Sequence, residues 1–113
     1  MLRDIDHFIG GSSFASDGGA ESRSGEVFDP NQGAVQARVR LGTAADLETA
    51  MDAARAAQPA WAATNPHRRA RVMFNFKALV EARMDELAEL LSSEHGKVVA
   101  DAKGDIQRGS GGK

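Results

Sequence analysis

The side chains that could carry out catalysis or hold a metal are few in this chain of 113 residues, and they lie far apart. The sequence has no cysteine, which excludes a cysteine nucleophile, a disulfide and a thiolate zinc site within it. The three histidines, His7, His67 and His95, lack the short spacing of metal ligands that share one element. We therefore expect no catalytic residue and no metal site in this chain.

Two basic motifs resemble phosphate-binding patterns. The first is a cluster of Arg68, Arg69 and Arg71, and on an amphipathic helix such a cluster is more often a solvated face. The second is the run of residues 109–113, but it lacks the glycine spacing, the hydroxyl residue after the lysine and the preceding strand of a P-loop. We interpret the arginine cluster as a solvated face and reject the second motif.

The composition excludes several classes of partner. Hydrophobic residues make up 42% and charged residues 27% of the chain, which is typical of a soluble globular domain. A net charge of −2 argues against binding to nucleic acid or to an anionic membrane, because both require an excess of basic residues. No apolar run approaches the roughly 20 residues that span a bilayer, and residues 1–9 lack the apolar region of a signal peptide. We expect a cytoplasmic protein.

The distribution of glycine predicts the organisation of the chain. Seven of the 12 glycines lie in residues 1–42 and five in residues 96–113, whereas the stretch between them has none and contains 14 alanines. Glycine weakens helix interiors and alanine favours them. The sequence therefore predicts strands and turns over residues 1–42, helices over residues 43–109 and a flexible tail over residues 110–113. The chain should be mostly helical, with a few short N-terminal strands.

Short strands are predicted in the first part. Residues 7–9 and 13–14 flank the turn signal Gly10-Gly11, which favours a hairpin. Residues 25–28 form another candidate, and apolar side chains alternate with Gln and Arg over residues 34–41, as in a half-buried strand. We expect these strands to be too few for an independent sheet and to pair with strands that this chain lacks.

Four helices are predicted from apolar residues at helical spacing. They cover residues 44–58, 66–82, 85–95 and 98–108. Their apolar stripes around Phe76 and Leu90 should face partners that are absent from this chain.

Local signals mark where these helices begin and end. Thr43 with Asp46 forms a short capping box, Asn65 precedes a proline at the first helical position, and Asp85 is the predicted cap of the third helix. Pro59 should end or kink the first helix because it has no backbone donor. Gly96 follows the third helix at the position that favours a left-handed residue.

Four blocks, in the correct order, resemble the N-terminal segment of an aldehyde dehydrogenase. They are residues 7–11 (HFIGG), 27–35 (VFDPNQGAV), 56–61 (AAQPAW) and 94–105 (EHGK followed by DAKGD). The second block departs from the family at Ala34, where an acidic residue is usual. Two runs, residues 68–77 and residues 94–97 continued by 104–109, are most similar to methylmalonate-semialdehyde dehydrogenase, which is the member of the family that acylates coenzyme A.

The resemblance implies an α/β parent fold and a known chemistry. A cysteine thiolate of the enzyme attacks the aldehyde, hydride passes to NAD, and the resulting thioester is transferred to coenzyme A with loss of carbon dioxide. Methylmalonate semialdehyde would give propionyl-CoA, and malonate semialdehyde would give acetyl-CoA. The catalytic cysteine and the dinucleotide-binding motifs lie later in family members, so we expect a fragment that is inactive alone and binds neither NAD nor coenzyme A. Its expected partners are the remainder of the enzyme or a second copy.

The resemblance also assigns one residue a role. Arg108 is expected to contact the substrate carboxylate, and a guanidinium suits this task because its planar fork of donors matches a carboxylate and stays charged. The helical spacing supports the assignment, since Val99, Ala102 and Ile106 should face the core and leave Arg108 free to project.

Two alternatives to this interpretation stay open at this point. The parent enzyme could be a different aldehyde dehydrogenase, such as a succinate-semialdehyde or betaine-aldehyde enzyme. The chain could also be a non-enzymatic helical interaction module that shares only its ancestry with the enzymes. The sequence alone leaves open whether this chain is an enzyme.

Overall fold

The computed structural model describes residues 2–15 and 23–111, which form short strands followed by four helices. The strands are β1 (Arg3–Ile5), β2 (His7–Ile9), β3 (Ser12–Phe14), β4 (Arg23–Asp29) and β5 (Ala34–Leu41). The helices are α1 (Ala44–Ala63), α2 (Pro66–Ala82), α3 (Met84–His95) and α4 (Val99–Ser110). The prediction of a mostly helical chain with a few short N-terminal strands is confirmed.

The chain divides into two compact units, and neither is continuous in sequence. The first unit comprises Met1–Phe28 and Val35–Ala63, and the second comprises Asp29–Ala34 and Thr64–Lys113. The turn between β4 and β5 therefore belongs with the helices α2, α3 and α4.

The strands of the first unit form a sheet and a separate hairpin. The sheet has the order β1-β5-β4, and β1 runs parallel to β5 with Arg3 opposite Ala37. In the hairpin, β2 and β3 are antiparallel with His7 opposite Phe14, and Gly10 and Gly11 form the turn at φ of 63° and 85°. The predicted hairpin is confirmed. The expectation that the strands over residues 25–28 and 34–41 are too few for a sheet of their own was wrong, because β1 joins β4 and β5 in a three-stranded sheet.

Helix α1 begins at the predicted capping box but continues past its proline. Thr43 N donates to Asp46 Oδ2 at 2.8 Å, and Asp46 N donates to Thr43 Oγ1 at 3.2 Å. Pro59 was predicted to end or kink the helix. The predicted end at residue 58 was wrong, since α1 extends four residues past the proline, to Ala63. The proline costs a backbone hydrogen bond, and the surrounding alanines, the best helix formers, offset that cost.

The helices of the second unit follow one another through short breaks. Asn65 caps α2, as predicted, by accepting from His67 N at 2.8 Å. Arg83 is both the C-cap of α2 and the N-cap of α3. Asp85 was wrongly predicted as the cap of α3, because it lies within the first turn of the helix. Gly96 ends α3 in the left-handed conformation, with φ of 87°, as predicted.

Only small side chains are fully buried in the described residues. Ala37 lies at the centre of the sheet, and Ala88 and Ala102 are fully buried in α3 and α4, which pack closely against each other. The apolar stripes around Phe76 on α2 and Leu90 on α3 are exposed to solvent, as expected, with these two side chains 57% and 39% exposed. Val99 is 40% exposed, so its expected place in the core was wrong, because it lies in the first turn of α4.

The C-terminal helix is longer than predicted. Helix α4 continues through Ser110, and residues 112 and 113, part of the predicted flexible tail, lie outside the described residues. None of the helices among the described residues is both long and apolar enough to cross a membrane.

Candidate functional site

Arg108 lies in the last turn of α4 with its side chain 74% exposed. Its Nη2 donates to Oδ1 of Asp105, one helical turn earlier. The other N–H donors of the guanidinium have no partner among the described residues. The structure therefore presents Arg108 as a cation on the surface with most of its donors available, which is the arrangement that recognition of a carboxylate requires.

Asp105 is held by a second cation. Its Oδ2 accepts from Nζ of Lys97, which lies in the loop between α3 and α4. The side chains of Lys97 and Asp105 are 23% and 34% exposed, so both are more shielded than Arg108. Lys97, Asp105 and Arg108 together form the candidate site, and we call them the α4 ion cluster.

Two polar contacts connect α3 to the loop that carries Lys97 and to α4. Ser92 Oγ donates to the backbone carbonyl of Lys97 at 2.7 Å, which fixes the loop that carries the lysine. Lys103 on α4 lies 2.5 Å from Asp85 Oδ1 at the start of α3. Polar contacts thus join α3 both to the loop that follows it and to α4.

Gly96 connects the same loop to the β4–β5 turn. A Cβ atom at Gly96 would lie 2.9 Å from Cγ of Pro30 and 3.9 Å from Oδ1 of Asn31. The turn is itself ordered by Asp29, whose Oδ1 accepts from Asn31 N at 2.8 Å and whose carbonyl accepts from Gly33 N at 2.7 Å. The loop that holds Lys97 therefore packs against a rigid turn.

The three histidines lie on three different elements. His7 lies on β2, His67 in the first turn of α2 and His95 at the end of α3. Among residues 2–15 and 23–111, no group of three His, Asp or Glu side chains is arranged to hold a metal ion.

His7 lines a surface cavity of about 470 Å³ together with Gly42, Thr43 and Asp46. Its Nε2 is buried, has no hydrogen-bond partner within residues 2–15 and 23–111, and lies 3.7 Å from Oδ2 of Asp46. The Asp46 carboxylate is engaged by the backbone of Thr43 at the start of α1. The carboxylate and hydroxyl of this group serve the cap of α1.

The arginine cluster of α2 is largely solvated. Arg68 and Arg71 are exposed, whereas Arg69 is partly buried and its Nε has no hydrogen-bond partner in the described residues. No acidic side chain lies in the first turn of α2. The interpretation of this cluster as a solvated face holds for Arg68 and Arg71.

One ion pair shifts the pKa values of its members. Arg83 Nε and Nη2 donate to the two carboxylate oxygens of Glu86 at 2.8 Å and 2.7 Å. These hydrogen bonds, with the attraction between the charges, lower the pKa of Glu86 and raise the pKa of Arg83. Both side chains are exposed at the start of α3, so this pair belongs to the helix terminus.

The sequence-based prediction named Arg108 but missed both of its companions. The spacing of Asp105 and Arg108, three residues apart on one helix, was a signal for their ion pair. Lys97 lies eight residues before Asp105 across a helix start, so only the structure brings these two residues together.

Comparisons with known proteins agree on one family. The family model described as "Aldehyde dehydrogenase family" matches residues 18–111. A malonate-semialdehyde dehydrogenase from Pseudomonas aeruginosa is 42% identical over 105 residues, which are 93% of this chain and 20% of that protein.

Solved structures have the same fold. A Sinorhizobium meliloti protein assigned as a methylmalonate-semialdehyde dehydrogenase, solved with NAD, matches with a TM-score of 0.92 and 51% identity over 97% of this chain and 22% of that chain. A succinate-semialdehyde dehydrogenase from Burkholderia pseudomallei matches with a TM-score of 0.85 and 36% identity over 96% of this chain and 22% of that chain. The chain thus spans about a fifth of the length of the relatives it matches.

Proposed function

This chain belongs to the aldehyde dehydrogenase family, and we propose that it is the N-terminal part of an NAD-dependent, coenzyme A-acylating dehydrogenase of malonate semialdehyde or methylmalonate semialdehyde. The proposal includes release of carbon dioxide from the substrate and formation of an acyl-CoA. This segment supplies a part of the substrate site and is inactive alone.

The observation that carries the proposal is the 51% identity to the Sinorhizobium meliloti protein over 97% of this chain. The 42% identity to the Pseudomonas aeruginosa malonate-semialdehyde dehydrogenase supports the same substrate class. Identity to the Burkholderia pseudomallei succinate-semialdehyde dehydrogenase is lower, at 36%, although the folds are similar. We therefore favour the malonate type of substrate over succinate semialdehyde.

The residues described in this chain do not fit a dinucleotide. Its strand-to-helix connection from β5 to α1 is Gly42-Thr43, and the start of that helix is occupied by the carboxylate of Asp46. A pyrophosphate at a helix start requires free backbone N–H groups and no competing negative charge. We assign the binding of NAD and coenzyme A to the remainder of the enzyme, which would cover the exposed stripe of α2.

The role proposed for this chain is recognition of the substrate carboxylate by Arg108. Its guanidinium is exposed on the last turn of α4, and one of its donors is engaged by Asp105. The remaining donors can pair with both oxygens of a carboxylate. This pairing would favour aldehydes that carry a carboxylate over aldehydes that do not.

Replacement of Arg108 tests this role. We would insert this segment in place of the matching residues of the Sinorhizobium meliloti protein and compare malonate semialdehyde with propanal, which lacks the carboxylate. Arg108→Leu should cost about 2–4 kcal/mol in kcat/KM for malonate semialdehyde, the range for removing one member of a binding charge pair, and much less for propanal. Arg55→Leu is a matched control, because Arg55 is also exposed and paired three residues back, with Asp52.

Equal losses on the two aldehydes would show that Arg108 supports the structure and does not bind the carboxylate. The DNA that follows the Lys113 codon tests the wider proposal, since we expect it to encode a cysteine-bearing catalytic domain. A frame without such a domain would favour the helical interaction module, for which the exposed stripe of α2 is the supporting observation. If the assembled enzyme converted succinate semialdehyde more efficiently, the succinate type would replace the malonate type.

A further inference from the structure

Asp105 is fixed from two sides by different cations. Lys97 Nζ contacts Oδ2 and Arg108 Nη2 contacts Oδ1, so neither carboxylate oxygen is left without a charged partner. Lys97 is in turn tethered, because its backbone carbonyl accepts from Ser92 Oγ at 2.7 Å. A chain of polar contacts therefore runs from the end of α3 to the guanidinium on the last turn of α4.

We propose that Asp105, oriented by Lys97, is a positioning residue that holds the Arg108 guanidinium in the geometry that receives the substrate carboxylate. This inference rests on the role proposed above for Arg108, and it adds the residues that determine how well that arginine selects acidic semialdehydes. Lys97 and Asp105 themselves do not contact the substrate.

The first argument is conformational. An exposed arginine loses about 2 kcal/mol of side-chain rotamer entropy when it is fixed, and a substrate that had to fix it would bind more weakly by part of that amount. Asp105 removes much of this freedom before the substrate arrives, because it anchors Nη2. A Cβ atom at Gly104 would lie 3.6 Å from Nη1 of Arg108, so the guanidinium lies over a position without a side chain.

The second argument is electrostatic. Two cations and one carboxylate give the α4 ion cluster a net charge of +1, which one substrate carboxylate would neutralise. Without Lys97, the charges of Asp105 and Arg108 would cancel and the pair would attract the substrate less. The lysine therefore restores the positive charge that recognition requires.

The pair formed by Arg55 and Asp52 on α1 shows what the cluster adds. It has the same spacing of three residues, but both side chains are more than half exposed, and no lysine in the described part of the chain contacts the carboxylate. A surface pair of this kind contributes little to order or affinity. The shielded Lys97 and the backbone tether distinguish the α4 ion cluster from such a pair.

The test uses this segment inserted into the Sinorhizobium meliloti protein, with KM and kcat measured separately for malonate semialdehyde and propanal. Asp105→Asn should raise KM for malonate semialdehyde about tenfold, within the range for a displaced binding group, and leave kcat and the kinetics with propanal nearly unchanged. Asp105→Glu should restore most of the lost affinity, because it keeps the carboxylate. Lys97→Met should raise the same KM by a smaller factor.

Asp101→Asn is the matched control, because it removes the same charge one turn earlier on α4 from an exposed side chain. It should leave KM for malonate semialdehyde unchanged. If Asp105→Asn prevents folding, as judged by activity on propanal, the KM of the Lys97→Met variant decides the question.

Four results would overturn the inference. A lower KM in Asp105→Asn would show that Asp105 competes with the substrate for Arg108. Equal changes with malonate semialdehyde and propanal would show a structural role. If Arg108→Leu impairs turnover of malonate semialdehyde more than that of propanal, but Asp105→Asn and Lys97→Met do not, this inference fails while the proposed role of Arg108 stands. If Arg108→Leu impairs turnover of both aldehydes equally, both proposals fail.

Discussion

Gly96 combines a left-handed backbone with a close neighbour. Its φ of 87° is unfavourable for any residue with a Cβ atom, and that atom would lie 2.9 Å from Cγ of Pro30. Neither constraint depends on the other, because one arises from the end of α3 and the other from the β4–β5 turn. Their effects on stability should therefore add.

Gly96→Ala should destabilise the chain by about 2–4 kcal/mol, the sum of left-handed strain and overpacking. Urea unfolding followed by far-ultraviolet dichroism measures this. Gly109→Ala is the matched control, because Gly109 is helical and an added Cβ would meet nothing within 4 Å. It should stabilise the chain by about 0.5–1 kcal/mol. A loss below about 1 kcal/mol in Gly96→Ala would mean that the turn does not pack against position 96.

Glu86 provides a pH-dependent contribution at the start of α3. Because its pKa is lowered in the folded chain, its pairing with Arg83 stabilises the fold fully above the ordinary value of 4.5 and is lost as the pH falls through the lower, folded pKa. A titration of the Glu86 carboxyl by nuclear magnetic resonance should move to higher pH in Arg83→Met. Arg55→Met should leave it unchanged. An unchanged titration in Arg83→Met would show that the ion pair does not form in solution.

The candidate site was only partly predictable from the sequence. Arg108 followed from a family resemblance. Its pairing with Asp105 was not predicted, although the spacing of three residues on one helix was a signal for it. The contact of Lys97 depends on the direction in which α4 leaves the loop after Gly96, and no local pattern encodes that direction. Contacts within one helix are thus predictable, whereas contacts across a loop require the three-dimensional path of the chain.

The capping box of α1 joins Thr43 and Asp46 by two reciprocal hydrogen bonds. Thr43→Ala should cost about 1 kcal/mol, since it removes the acceptor of the Asp46 amide. Thr49→Ala in the same helix is the control, because Thr49 Oγ1 only donates to the Ala45 carbonyl and alanine is the better helix former. Thermal unfolding should separate the two variants. Equal midpoints would argue that the cap contributes nothing to stability.

The starts and ends of the helices were predicted where short-range chemistry determines them. Thr43, Asn65 and Gly96 act on backbone groups within three or four residues, so their roles can be deduced from spacing. Pro59 was mispredicted because the surrounding alanine-rich sequence outweighs one lost hydrogen bond. Strand β1 was missed because its three residues, two of them charged, become a strand only by pairing with β5.

The described residues of the chain carry an exposed apolar surface on α2. Phe74 is 71% and Leu79 is 63% exposed, although both are large apolar side chains. Surfaces of this kind promote association. The chain expressed alone should therefore bind a hydrophobic dye and self-associate at high concentration.

A double substitution, Phe74→Gln with Leu79→Gln, should reduce both effects and change the unfolding free energy by less than about 0.5 kcal/mol, as expected for exposed positions. Light scattering and dye fluorescence measure the result. Ala88→Leu is the contrasting variant, because Ala88 is fully buried, and it should cost about 1–3 kcal/mol by overpacking. If the double variant lost its helical signal, α2 would be packed in solution.

The placement of residues 29–34 with the three C-terminal helices has a consequence for recombination between related genes. A crossover after residue 63 would inherit Gly96 from one parent and Pro30 from the other, although these two residues pack together. Hybrids of diverged parents should then fold poorly unless both supply the same turn. A viable exchange would move residues 29–34 and 64–113 together, so the helical half of this segment is inherited as two separate pieces of sequence.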